Sequence, residues 1–241
     1  MNYENFKLVI EKTSNIVFFG GAGVSTESSI PDFRSETGLY KTKGNFSYPP
    51  EVMLSHSFFA AHTEEFFEFY RLKMIYKDAR PNAAHLALAE LEKRGKLKAV
   101  ITQNIDGLHQ MAGSKNVLEL HGSVHRNYCS KCGKFFDLDY ILASKTVTPK
   151  CDICEGIVKP DVVLYEEGLD MEIMRKSIEY ISNADVLIVG GTSLNVYPAA
   201  GLVEYFKGSK LILINKSSTS YDSRADMVIN NSIGMVLSSV I

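Results

Sequence analysis

Tryptophan is absent, and only four cysteines occur in the 241 residues. All four fall into two C-x-x-C pairs, Cys129-x-x-Cys132 and Cys151-x-x-Cys154. None is left over for a disulfide framework, so a small secreted scaffold is excluded and metal binding is the better use of the thiols. An excess of charge of one sign is missing too. The 26 Lys and Arg residues nearly balance the 28 Asp and Glu, for a net charge of -2, which gives no general attraction to nucleic acid or to an anionic membrane. Long apolar runs are also lacking. The C-terminal stretch IGMVLSSVI covers nine residues, well short of the roughly 20 that span a bilayer. The N-terminal MNYENFKLVIEK places Phe6, Val9 and Ile10 at helical spacing and reads as a helix rather than a signal peptide. A cytoplasmic protein is expected, with neither nucleic acid nor membrane as partner. Without an exposed heptad or a long apolar edge, it is expected to be a monomer.

What is present is a core and a set of polar strand ends. At 45% hydrophobic, the chain can bury one large core, or a large and a small one. Its organising stretch is Ile16 to Ser35. An apolar strand, Ile16 to Phe19, runs into Gly20, Gly21, Ala22 and Gly23, where glycine lets backbone N–H groups approach an anion. A helix is expected to start near Val24. Gly21-x-Gly23 matches the dinucleotide fingerprint only in part, since Thr26 stands where the third small residue belongs. The helix, second strand and acidic residue of a dehydrogenase do not follow. Instead Phe33 offers a flat face and Arg34 a fork for phosphate or carboxylate, in a loop placed to lie over a ligand.

Further along, Thr63 is expected to cap a helix carrying a stripe of Phe66, Phe67, Phe69, Tyr70, Met74 and Ile75. A second helix runs from Asn82 to Arg94, with Gly95 as its stop. The strand Leu97 to Ile101 ends in Gln103, Asn104, Ile105 and Asp106, and the strand Val117 to Leu120 ends in His121. Ligands of open α/β sheets bind beyond the carboxyl ends of strands, so these residues are placed to face one. A histidine there, with an ordinary pKa of about 6.5, can take a proton near neutrality. The two cysteine pairs stand eighteen residues apart and suit a tetrahedral zinc site with no open position, hence a structural one. A thioredoxin-like redox pair is the minor alternative, and His125 is a competing ligand that the spacing does not require. Lys159 to Leu164 is extended and could line a peptide groove. Asp170 caps a helix with Met171, Met174, Ile178 and Ile181 on one face. A second cradle follows: strand Val186 to Val189, turn Gly190-Gly191-Thr192-Ser193, helix Pro198 to Phe206, and strand Lys210 to Ile214 ending in Asn215. Asn215 lies near the position of a Rossmann ribose ligand.

These motifs, in this order along nearly the whole chain, resemble the sirtuins, NAD-dependent protein lysine deacylases: GAGVS with IPDFRS, TQNIDGLH, HG, two C-x-x-C pairs and GTSLNVYP. The resemblance implies an α/β fold, a Rossmann-like doubly wound parallel sheet with a small zinc-ribbon domain and a helical insertion. Residues 1–40, 80–122 and 160–241 would form the NAD-binding part, 41–79 the loop and helical insertion, and 123–159 the zinc ribbon. Ala22, Thr26, Phe33, Arg34, Gln103, Ile105, Asp106, His121, Thr192, Ser193, Asn215 and Ile233 would surround NAD, a consumed cosubstrate. Asp106 and Ile105 would hold the nicotinamide end, and Phe33 would shield the reaction from the leaving group. Cys129, Cys132, Cys151 and Cys154 would hold one structural zinc. The implied reaction removes acetyl groups from lysines of proteins or peptides bound between the two domains. The acyl oxygen attacks the nicotinamide ribose, nicotinamide leaves, and His121 acts as general base, giving O-acetyl-ADP-ribose.

Three departures from the family pattern stand out. Ser29 replaces a usual glycine, Gly20 a usual threonine, and Tyr165-Glu166-Glu167 a more usual Phe-Gly-Glu. Tyr70 matches the branch that removes acidic acyl groups, but Lys73 stands where that branch has arginine. The competing readings are an ADP-ribosyltransferase or a deacylase for other acyl groups on the same scaffold, a zinc-ribbon sensor of NAD or ADP-ribose, and a dehydrogenase.

Overall fold

The computed structural model describes residues 3–33, 38–39 and 46–241. The chain runs through α1 (Tyr3–Lys12), β1 (Ile16–Gly20), α2 (Pro50–Met53), α3 (His56–Ala61), α4 (Thr63–Lys73), α5 (Ala83–Lys93), β2 (Leu97–Thr102), α6 (Leu108–Met111) and β3 (Val117–Glu119). It continues through β4 (Gly122–Cys129), β5 (Phe135–Phe136), α7 (Leu138–Ala143), β6 (Val158–Val162), α8 (Met171–Asn183), β7 (Val186–Gly190), β8 (Lys210–Ile214), β9 (Met227–Ile229) and α9 (Ile233–Ser238).

Six strands form a parallel sheet in the order β3-β2-β1-β7-β8-β9. The sequences of β1 and β7, IVFFG and VLIVG, are buried at every position, as strands covered on both faces must be. Alternation divides them between two cores. Ile16, Phe18 and Ile188 pack with Phe6 of α1, Leu88 and Leu91 of α5 and Val236 of α9. Val17, Phe19, Leu187 and Val189 pack with Ile181 of α8 and with Leu202 and Val203 on the other side. This is the expected doubly wound architecture. Strand order reverses between β1 and β7, which opens a crevice at their carboxyl ends.

A second sheet, antiparallel in the order β5-β4-β6, carries the cysteines. Helices α2 to α4 supply a third cluster, in which Phe58, Phe66, Phe67 and Tyr70 meet Val124, Val162 and Leu164. Among the described residues no helix is long and apolar enough to cross a membrane.

Local structure departs from the sequence expectations at four places. The expected helix at Val24 is two 3-10 turns, Ala22–Val24 and Thr26–Ser28, closed by Ser29 in the left-handed region at φ 63. A continuous helix would need its hydrogen bonds at i−4. The amides of Val24 and Ser25 instead reach back three residues, to Gly21 and Ala22. The first cradle therefore presents turn amides rather than the N-terminal end of an α-helix. The segment Ala199–Tyr205 is likewise 3-10. Thr63 does not cap α4, because its hydroxyl donates to the Phe59 carbonyl at 2.9 Å and His62 holds the cap position. Met171 is 79% exposed and stands apart from the apolar face of α8. The cap expected at Asp170 is present, accepting the Glu172 and Ile173 amides, and Asn82, the expected start of the second helix, caps it by accepting the Ala84 amide.

Candidate active site at the sheet switch point

The two glycine turns meet backbone to backbone across the switch point. The Gly23 amide donates to the Gly191 carbonyl at 2.8 Å, and the Gly21 amide to the Gly190 carbonyl at 3.2 Å. A Cβ at Gly23 would stand 2.8 Å from the Gly191 Cα and 2.9 Å from its carbonyl oxygen. Gly191 itself has φ +63, and a Cβ there would strike the Val24 amide. Only glycine at both positions permits this approach.

A cavity of about 700 Å³ opens above the turns, within the range of ligand sites. Ala22, Thr26, Phe33, Gln103, Ile105, Asp106, His121, Thr192, Ser193, Asn215 and Ile233 all line it. Arg34 lies outside the described residues. Ile233 serves the core as well, since its side chain closes over Gly190.

A chain of hydrogen bonds ties the two half-sites together. The Gln103 amide nitrogen donates to the Thr192 hydroxyl at 3.2 Å, and the Thr192 backbone N–H donates to Asn215 Oδ1 at 3.1 Å. That leaves Asn215 Nδ2 buried and without a partner among the described residues. An unpaired buried donor costs roughly 1–3 kcal/mol, and a ribose hydroxyl in the cavity would satisfy it. Thr26 Oγ1 donates to the Gly23 carbonyl at 2.9 Å, which stiffens the first turn. The glycine-lined turns, the orphaned amide and the switch-point position together fit a dinucleotide.

The opposite end is acidic. Asp106 accepts from the Ser25 hydroxyl at 2.6 Å and from the Leu108 amide at 2.9 Å, while Asn104 Nδ2 donates to Ser25 Oγ at 3.0 Å. Ser25 and Asn104 are buried. They hold the Asp106 carboxylate at the cavity lining. Ser25 is not among the site residues expected from the sequence, although its place two residues after Gly23 is a signal that it borders the cradle.

His121 stands just beyond β3. Its Nδ1 lies 2.9 Å from the Gln103 carbonyl. A carbonyl only accepts, so Nδ1 carries the proton and Nε2 keeps its lone pair. Burial lowers the His121 pKa below its ordinary value, and the Gln103 carbonyl opposes that in part. The ring is therefore neutral at pH 7 and its free nitrogen can accept a proton.

Away from the cavity, the four cysteine sulfurs all lie within 4.8 Å of one another. Cys129 and Cys154 are 3.4 Å apart and Cys132 and Cys151 are 3.7 Å apart. Zn–S bonds of about 2.3 Å place sulfurs about 3.8 Å apart in a tetrahedron, so the donor set fits one zinc. The Lys131 and Cys132 amides point at Cys129 Sγ and the Ile153 amide at Cys151 Sγ, an arrangement that supports thiolates. His125 takes no part in this cluster. It lines the cavity, with Nε2 3.0 Å from the Asp106 carbonyl.

Comparison with known proteins bears on the same geometry. The Sir2 family model matches residues 21–198. An NAD-dependent protein deacetylase of Clostridium acetobutylicum is 73% identical over 235 residues, which cover 98% of this chain and 96% of that protein. One of Clostridium tetani is 71% identical over 238 residues, covering 99% and 96%. A solved structure described as Sir2 with a p53 peptide and NAD+ has a TM-score of 0.85 at 38% identity, covering 98% of this chain and 96% of that one. Both glycine turns and the residues between them fall inside the matched span, and with similarity of this extent along its length the chain belongs to the Sir2 family.

Proposed function

We propose that the cavity removes acetyl groups from protein lysine side chains at the expense of NAD. The single observation that carries this reading is a neutral histidine with a free Nε2 in the same cavity as two interlocked glycine turns. The relatives named above support it, as does the chemistry of the lining.

In this reading the amides and hydroxyls of the two turns bind the pyrophosphate, Asn215 Nδ2 and Ser193 bind the adenosine side, and Asp106 with Ile105 holds the nicotinamide end. NAD, when bound, would supply the ribose carbon that takes the acyl oxygen as nicotinamide leaves, and water would complete the transfer, freeing the lysine and leaving O-acetyl-ADP-ribose. His121 Nε2 takes a proton from a ribose hydroxyl, and the Gln103 carbonyl steadies the imidazolium that forms. General-base assistance of this kind is typically worth about 10² to 10⁴ in rate. Phe33, in contact with the third apolar cluster, shields the reacting face from the departing nicotinamide. Arg34 belongs to the same loop in sequence and is assigned to the phosphates. Val163 to Tyr165, joined to α3 through the Tyr165 carbonyl and the His56 amide at 2.9 Å, form one wall of the peptide groove.

Lys73 lines the cavity, but lysine lacks the fork that grips a carboxylate, so acetyl is preferred over succinyl. The chain acts as a monomer in the cytoplasm. Its working division is a nucleotide-binding part (1–40, 80–122, 160–241), a helical insertion (41–79) and a zinc ribbon (123–159). The test is product analysis with NAD labelled in the adenine. Label leaving as an acyl ester of ADP-ribose supports the deacetylase, whereas label retained on protein supports an ADP-ribosyltransferase.

A further inference from the structure

Strand β4 pairs with β6 from Gly122 to Cys129, yet Ser123 pairs with Asp161 and Asn127 with Pro160. One step along β6 is matched by four along β4, so Val124, His125 and Arg126 bulge out of the ladder. Bulges re-aim side chains and gather near active sites. Here Val124 and His125 reach the cavity lining and its polar loops. The Val124 amide donates to the Ile105 carbonyl at 3.0 Å. His125 Nε2 meets the Asp106 carbonyl at 3.0 Å. Arg126 holds the bulge in place from the other side, bonding Glu119 at 2.6 Å and Asp161 at 2.8 Å.

The space for His125 is itself built. Gly107 has φ +72, and a Cβ on it would lie 2.6 Å from His125 Cδ2 and 2.8 Å from Nε2. The imidazole thus rests on the bare face of a glycine one residue beyond Asp106. Because the carbonyl can only accept, Nε2 is the protonated nitrogen.

We infer that His125 is a positioning residue: lying across Gly107 and bonded to the Asp106 carbonyl, it sets the loop from which Asp106 meets the nicotinamide group. This rests on the reading of Asp106 given above. Its consequence is selective. The site for nicotinamide, as part of NAD and as a product that rebinds, should depend on His125, while the peptide groove at Val163 to Tyr165, to which His125 makes no hydrogen bond among the described residues, should not.

The test measures nicotinamide inhibition, the KM for NAD and the KM for an acetyl-lysine peptide. His125→Phe keeps a flat ring on Gly107 and removes the donor. His125→Gln returns an N–H near the Nε2 position. The expected result is that His125→Phe weakens nicotinamide inhibition and raises the KM for NAD by about three- to tenfold, the range of one hydrogen bond. The peptide KM and the melting temperature should hold, and His125→Gln should recover most of the loss. Asp106→Asn is the control. Loss of nicotinamide inhibition in Asp106→Asn but not in His125→Phe overturns the inference and spares the reading of Asp106. No change in either variant overturns both. Loss of NAD, nicotinamide and peptide affinity together with a lowered melting temperature also overturns it, since that is the mark of general loosening.

Discussion

Two histidines beneath the cavity should make this fold acid-sensitive well above the carboxylate range. His85 and His109 are 0% and 1% exposed, and their rings pack at 4.7 Å. His85 Nδ1 accepts from the Asn82 amide. Its Nε2 and both nitrogens of His109 lack partners among the described residues. Burial pushes the His85 pKa down to about 4, against opposing pulls from Asp106 and Glu27. Burial, with repulsion from His85, takes His109 down to about 3. The unfolded chain binds protons at about 6.5 and the native state refuses them, so stability is complete above that pH and is lost as pH falls through it. At pH 5 each ring costs about 2 kcal/mol, from about 1.5 pH units at 1.36 kcal/mol each. Arg175 hydrogen bonds hold Glu172 at about 2, and with an ordinary glutamate value near 4.3 its loss falls mostly below this window. Urea unfolding at pH 7 and pH 5 reads the effect directly. His109→Phe, which removes one titrating ring whose nitrogens have no hydrogen bond among the described residues, should shrink the pH 7 to pH 5 loss by about 2 kcal/mol. An equal loss in the wild type and in His109→Phe would refute the reasoning.

Other consequences follow from single contacts. Ser29 holds φ 63, at a cost of roughly 1–2 kcal/mol for a residue with a Cβ. Ser29→Gly should therefore raise stability by about 0.5–1 kcal/mol after the added unfolded-state entropy, and a lowered urea midpoint would contradict that. Gly23→Ala drives a Cβ into the Gly191 backbone. Overpacking of this kind costs about 1–3 kcal/mol, and NAD affinity measured by calorimetry should fall with it. The small sheet has a core of Cys129, Phe136, Ile141, Cys151 and Val158, too little to stand without metal. Cys151→Ser or a strong chelator should release one zinc per chain and expose amides of residues 122–162 to hydrogen exchange ahead of those of β1 and β7. Because burial lowers the pKa of His121, the acid limb of kcat/KM should lie below pH 6.5, and a limb above 7 would remove His121 from that role.

Much of this was legible in the sequence, for definite reasons. The buried strands β1, β7 and β8 hold continuous apolar runs that end in glycine or a polar residue, and β2 differs by its exposed Lys98. A parallel sheet then follows from joining such strands with helices, though not its order, and strand ends from 103–106, 121, 192–193 and 215 converge on one cavity. Four cysteines in two pairs announce their cluster by spacing. What escaped the reading depended on contacts distant in sequence. Ser25 acquires its importance only when Asn104 and Asp106 fold against it. The place of His125, considered as a metal ligand, is decided by a bulge that pairing with β6 creates. The 3-10 turn at Val24 lies against the second glycine turn, the Gly23 amide donating to the Gly191 carbonyl, a contact absent from local propensity. Thr63 looked like a cap, but its hydroxyl found the preceding helix first.

The most direct test of the account is nicotinamide release by the purified protein, with and without an acetyl-lysine peptide, beside His121→Ala. The account predicts release that requires the peptide, matches deacetylated lysine one for one, and falls by about 10² or more in His121→Ala while the variant stays folded. Undiminished turnover in His121→Ala would contradict it, and so would peptide-independent release that leaves the acetyl group in place.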